Sequence, residues 1–294
     1  MLALTGLVAA CGASPLSSAR SVGQAISPGP GPSFSARIPA APASAMPITS
    51  LITVLDLPYS AAQALDLYAP SGPGPRPIVV ILHGMNETRA DWTPFARAIA
   101  HDRAVVFNVE YRADELARPG GPEDAACAVR FARAQAPAYG GDPARVTLFG
   151  FSAGAVYGAL AALAGDQFAG DCATRGVSAL PSAFVGVAGP YDPTLLASDP
   201  RPPLRQTDPA RYEELNPYTH LGGNPRLRVL LLHGADDAAA PPEMSTRFCA
   251  ALAAAGYDAT LTVVEGYGHE IPLSDSPAFR QIVRETLRFA SVER

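Results

Sequence analysis

The sequence predicts an α/β fold, a mostly parallel central sheet with helices on both faces. Three observations carry this. From residue 50 onward, short β-branched apolar runs alternate with segments of helical spacing. Several runs, "PIVVILHG" at 77–84 foremost, are continuously apolar instead of alternating, as in a strand covered on both faces. No repeat of fixed period interrupts the rhythm, so one domain accounts for it.

The elements follow in order. "SLITVLDL" (50–57) and "QALDLYAP" (63–70) form two early strands around a turn at 58–62, and 77–84 is the third. "DWTPFARAIA" (91–100) is helical, "AVVFNVEY" (104–111) a strand, and "PEDAACAVRFARAQA" (122–136) a helix. Pro122, Glu123 and Asp124 suit its first turn, so the two carboxylates read as a helix start and not as an acid pair. Strand "RVTLFG" (145–150) leads into a helix over 152–164, then strands "AFVGVAG" (183–189) and "LRVLLLHG" (227–234). Helix "PEMSTRFCAALAAAG" (242–256), strand "ATLTVVEG" (259–266) and helix "SPAFRQIVRETLRFA" (276–290) complete the series. Trp92 and Phe95 sit where a helix faces its core. The proline-rich stretch 193–225 exceeds a simple turn, so it has a purpose or is mobile; it leaves room for a short helix near 210–215 but too little chain for a large multi-helix lid.

Composition excludes some functions. The 294 residues are 48% hydrophobic and 17% charged, with net charge −5 and no clustering of Lys or Arg, so there is no electrostatic footprint for nucleic acid. Residues 2–10 are apolar, too short to span a bilayer, and end in Val8-Ala9-Ala10-Cys11. This resembles a bacterial lipobox, although no Lys or Arg precedes Arg20. The resemblance implies a lipoprotein signal segment at 1–11, lipidation of Cys11 and an exported, periplasmic or membrane-anchored protein; without a true signal the protein is cytoplasmic. Residues 12–45, rich in Ser, Ala, Pro and Gly, read as a disordered tether, leaving 46–294 as the globular domain. Cys127, Cys172 and Cys249 show no metal-ligand spacing. Export permits one disulfide among them, with the pair left open, while Cys127 and Cys249 fall in helical patterns where buried thiols are the commoner case.

In open α/β sheets function gathers at the carboxyl ends of strands. Those ends carry His83-Gly84, Gly150-Phe151-Ser152-Ala153-Gly154, His233-Gly234-Ala235-Asp236-Asp237 and Gly268-His269-Glu270. A serine hydroxyl needs a base to take its proton as it attacks a carbonyl, and a histidine needs a carboxylate to fix its tautomer. Ser152, Asp237 and His269 supply the three in chain order, with Asp236 and Asp192 as alternative acids. His83 and His233 each precede a glycine at a strand end and read as loop-shaping residues.

"LFGFSAGA" between strand and helix resembles the nucleophile elbow of the α/β-hydrolase superfamily, and "HGADDAAAPP" resembles that superfamily's acid loop. "GYGHE" matches its terminal histidine loop. "YSAAQALDLYAP", Tyr111-Arg112 and "YGGDPARVTLFGFSAG" are similar to the esterase and kynurenine-formamidase-like branch, so that the resemblance covers about residues 50–290. It implies a carboxylic ester hydrolase working through an acyl-enzyme on a small-molecule ester, with no cofactor and no metal. The alternatives are an amide hydrolase with the same triad, or a noncatalytic surface lipoprotein. The resemblance also implies an oxyanion hole from the backbone N–H groups of Ala153 and Met85, helped by Gly84. Met85 stands where the branch often has a second glycine; it keeps the donor but narrows the acyl pocket, favouring short to medium acyl groups. Tyr191 and Tyr218 are candidates for the pocket wall.

Overall fold

The computed structural model describes residues 7–11, 50–113, 120–192, 204–270 and 276–292. Its strands are β1 (Leu7–Ala10), β2 (Leu51–Pro58), β3 (Ala64–Pro70), β4 (Arg76–Leu82), β5 (Val105–Val109), β6 (Gly141–Phe151), β7 (Ala183–Val187), β8 (Arg228–Gly234) and β9 (Asp258–Val264). They form a nine-stranded sheet of order β1-β9-β8-β7-β6-β4-β5-β3-β2. Strands β4 to β9 pair in parallel, whereas β1, β2 and β3 pair antiparallel with their neighbours.

The continuous apolar runs have a direct cause. Along β4, Ile78, Val80 and Leu82 point into one core and Val79 and Ile81 into the other, all without exposed surface. Helices α2 (Gly120–Gln135), α3 (Ala153–Ala164) and α6 (Glu243–Ala254) cover the first face; α1 (Thr93–His101) and α7 (Pro277–Ala290) cover the second. Trp92 and Phe95 lie fully buried against Phe149, and Phe95 also meets Phe279 edge-on, which ties the two helices of that face together.

Between β7 and β8 the described residues hold α4 (Leu204–Thr207) and α5 (Pro209–Glu214). The latter falls on the expected short helix and starts where Asp208 accepts the N–H of Arg211.

The amino terminus brings two differences from the expectation. The apolar run that resembles a leader ends in β1, which pairs with β9 at the sheet edge. Cys11 is disulfide-bonded to Cys249 on α6. A sulfur in that bond is not free to carry a lipid, so the two fates of Cys11 exclude each other. The tether at 12–45 lies outside the described residues. Cys127 on α2 is bonded to Cys172, so neither helical cysteine is the free buried thiol that its pattern suggests.

Candidate active site

The parallel strands end at one edge of the sheet, and the chemistry-bearing residues meet there. Ser152 joins β6 to α3 with φ 52° and ψ −117°, a backbone conformation that L residues rarely hold. The turn exists because its flanks are glycines: a Cβ on Gly150 would collide with the main chain of Gly154, and one on Gly154 with the carbonyl groups of Leu82 and His83. Ser152 N–H donates to Val187 O at 2.9 Å, anchoring the turn to β7.

Ser152 Oγ lies 2.8 Å from His269 Nε2, and His269 Nδ1 lies 2.8 Å from Asp237 Oδ2. The three candidates are therefore in mutual hydrogen-bond reach. Asp237 is buried; its Oδ1 accepts main-chain N–H groups from Ala239 at 3.0 Å and Ala240 at 2.8 Å. Burial alone would push this carboxyl up, but donors from His233, His269 and Ala240 outweigh it and hold the group well below the usual carboxylate range. The other acids are elsewhere: Asp236 is exposed, and Asp192 lies 3.9 Å from Arg247.

The candidate oxyanion donors differ in their surroundings. Ala153 opens α3, so no earlier turn of the helix supplies an acceptor for its N–H. Met85 follows β4 with its side chain exposed. Gly84 does not fit its expected role, because its N–H already donates to Glu87 Oε2 at 2.7 Å. The same oxygen accepts the indole N–H of Trp92 at 2.8 Å. His83 shapes this loop, with Nδ1 at 2.8 Å from Gly84 O and Nε2 at 3.1 Å from Glu110 Oε1, while Tyr111 Oη donates to His83 O at 2.6 Å. Burial would raise the Glu110 carboxyl, but hydrogen bonds from His83 and from the Arg89 main chain bring it below its ordinary value. Asp124 takes Arg112 through both carboxylate oxygens, each at 2.8 Å, a structural pair at the start of α2.

The two tyrosines also separate. Tyr191 is fully buried within the core, stacked on Phe248 with ring centroids 4.3 Å apart, and burial pushes its phenol up. Tyr218 is half-buried and meets Phe248 edge-on at 5.3 Å. Burial, with the Asp192 charge adding to it, pushes its phenol up to about 12. Beside His269 lies a small, mostly apolar cavity lined by Val187, Leu232, Val264, Ala278 and Ile282. Sequence reasoning missed Glu87 and Glu110 as loop clamps, and His233 as a partner of Asp237. The signal available was position: Glu110 directly follows β5 beside the end of β4, and His233 lies four residues before Asp237.

Comparison with known proteins follows the same lines. A family model described as BD-FAE matches residues 65–252. No curated protein matches the chain in sequence. Among solved structures, a truncated carbohydrate esterase from gut microbiota shares 19% identity, covers 83% of this chain and 98% of its own, and superposes with a TM-score of 0.69. The propionate-bound esterase Est2 of Thermogutta terrifontis shares 22% identity over 83% of this chain and 93% of its own, with a TM-score of 0.65. An acetyl ester-xyloside bifunctional hydrolase from Caldicellulosiruptor lactoaceticus shares 21% over 76% and 86%, with a TM-score of 0.60. These three likenesses agree on the fold. The matched family model spans well over half of the sequence and includes Ser152 and Asp237, and the chain belongs to the BD-FAE family, an α/β-hydrolase-type family.

Proposed function

We propose that the protein is a carboxylic ester hydrolase that forms an acyl-enzyme on Ser152. The observation that carries this is the unbroken contact line Ser152 Oγ, His269 Nε2, His269 Nδ1, Asp237 Oδ2, each step at 2.8 Å. His269 takes the serine proton as the hydroxyl attacks the ester carbonyl, then returns it to the departing alcohol. Asp237 stays ionised and stabilises the imidazolium. The N–H groups of Ala153 and Met85 receive the oxyanion. Water then repeats the sequence on the acyl-serine and frees the acid.

The substrate reading is an ester of a short to medium acyl group, supported by the Met85 side chain beside the oxyanion donors. That neighbours in fold include a propionate-bound esterase and an acetyl ester hydrolase agrees with it. The test pairs a fluorophosphonate probe with p-nitrophenyl esters of increasing acyl length and a matched anilide. Labelling at Ser152 with highest kcat/KM on short esters is expected. Absence of labelling in folded protein sinks the catalytic assignment, and faster anilide turnover replaces the ester reading with an amide one.

Export belongs to the same proposal. The Cys127–Cys172 and Cys11–Cys249 disulfides suit an oxidising compartment. Incorporation of labelled palmitate, lost in Cys11→Ser, marks the anchored form; its absence in the wild type leaves Cys11 to the disulfide.

A further inference from the structure

Asp237 faces a second hydrogen-bond chain on the side away from Ser152. His233, near the end of β8, is buried, and its Nε2 lies 3.1 Å from Asp237 Oδ2 and 2.7 Å from the carbonyl oxygen of Ala240. A carboxylate and a carbonyl only accept, so Nε2 carries the hydrogen. Nδ1 lies 2.7 Å from the hydroxyl of Ser245, which is fully buried on α6. A hydroxyl both donates and accepts, so Ser245 satisfies Nδ1 while Nε2–H is aimed at Asp237 and Ala240. The groups form one line with the carboxylate at its centre: Ser152, His269, Asp237, His233, Ser245.

This arrangement divides the work on the carboxylate. Two main-chain N–H groups hold Oδ1, and His233 holds Oδ2 against rotation about the Cβ–Cγ bond. Without His233, the partner left to Oδ2 among the described residues would be the partly exposed His269, which has to move protons during turnover. We infer that His233 is a positioning residue for the reaction. It aims Asp237 Oδ2 at His269 Nδ1, and Ser245 holds its ring in place from the other side. The inference rests on the triad reading above.

A histidine that merely cemented the loop through Ala240 O would affect folding and leave turnover of the folded enzyme alone. The experiment separates the two with His233→Met, which fills similar space without a donor, and His233→Gln, whose amide N–H reaches toward the place of Nε2. Kinetics on p-nitrophenyl acetate are read beside thermal melts on the full chain. His233→Met is expected to lower kcat by about ten- to a hundredfold, the worth of a hydrogen bond to a charged group, with KM near wild type. His233→Gln is expected to restore most of the loss. Wild-type kcat in folded His233→Met, or equal losses in both variants, overturns the proposal. Should His233→Met not fold, Ser245→Ala carries the test: a several-fold fall in kcat at constant KM supports positioning, and wild-type kcat overturns it. Failure of the triad reading shows separately, as wild-type protein with no ester turnover and no labelling of Ser152.

Discussion

Glu87 Oε2 accepts the main-chain N–H of Gly84 at 2.7 Å, fastening the loop after β4 from within. The same carboxylate oxygen holds the indole of the fully buried Trp92. Glu87→Ala leaves that indole N–H unpaired in the core, a cost of about 1–3 kcal/mol. For a domain of this size the melting temperature falls by roughly 2–12 °C. Because Met85 is the next residue in the loop, kcat is expected to fall while KM holds. Glu87→Gln keeps an acceptor oxygen and should lose less of both; calorimetry and steady-state kinetics on the two variants check the order.

Asp237, and not its neighbour Asp236, lies within hydrogen-bond reach of His269. Asp237→Asn is expected to lower kcat by about 10⁴, since the amide favours the wrong imidazole tautomer. Asp236→Asn removes an exposed carboxylate and should stay near wild type. Ester turnover by the two variants decides, and the reverse order refutes the assignment.

Acid stability follows from the same carboxylate. Asp237 and Glu110 both titrate below their ordinary values in the folded chain, so each contributes stability that is full above the unfolded carboxylate pKa and is lost as pH falls toward the folded one. Urea unfolding measured downward from about pH 5 should therefore show falling stability, with a slope limit of about 1.4 kcal/mol per pH unit for each such carboxylate. Asp237→Asn should flatten that slope.

Met85 sets a steric prediction. Its exposed side chain contributes little to the core, so Met85→Gly should fold normally and keep the backbone donor. Activity on long p-nitrophenyl esters is expected to rise relative to acetate. An unchanged acyl profile would remove Met85 from the pocket wall.

The Cys127–Cys172 bond closes 45 residues between α2 and the stretch after α3. In the loop-entropy view such a closure contributes about 4 kcal/mol. Chemical unfolding of the double variant Cys127→Ala, Cys172→Ala should show most of that loss, with ester turnover of the folded fraction retained.

Much of this was legible in the sequence for a local reason. The two-sided burial of β4 appears as an unbroken apolar run, and the strain at Ser152 appears as the glycines that permit it. What stayed illegible depends on partners distant in sequence. Tyr191 follows a strand end, yet its ring turns inward onto Phe248, and nothing nearby in the sequence says so. Gly84 carries an N–H like any residue, and only the fold shows Glu87 occupying it. The Cys127–Cys172 pairing joins segments whose approach no spacing predicts. Strand β1 has only four residues and takes its partner from the far end of the chain.

Gly154 has a consequence for how this protein tolerates change. Its backbone meets the carbonyl groups of Leu82 and His83 with no room for a side chain between them, so the helix behind Ser152 rests directly on the strand that leads to Met85. The spacing between the Ser152 turn and the end of β4 is thereby set by main-chain contact. Side chains around the site can diverge without moving it, provided the glycines persist. Solved structures with 19–22% identity share this fold, with TM-scores of 0.60–0.69.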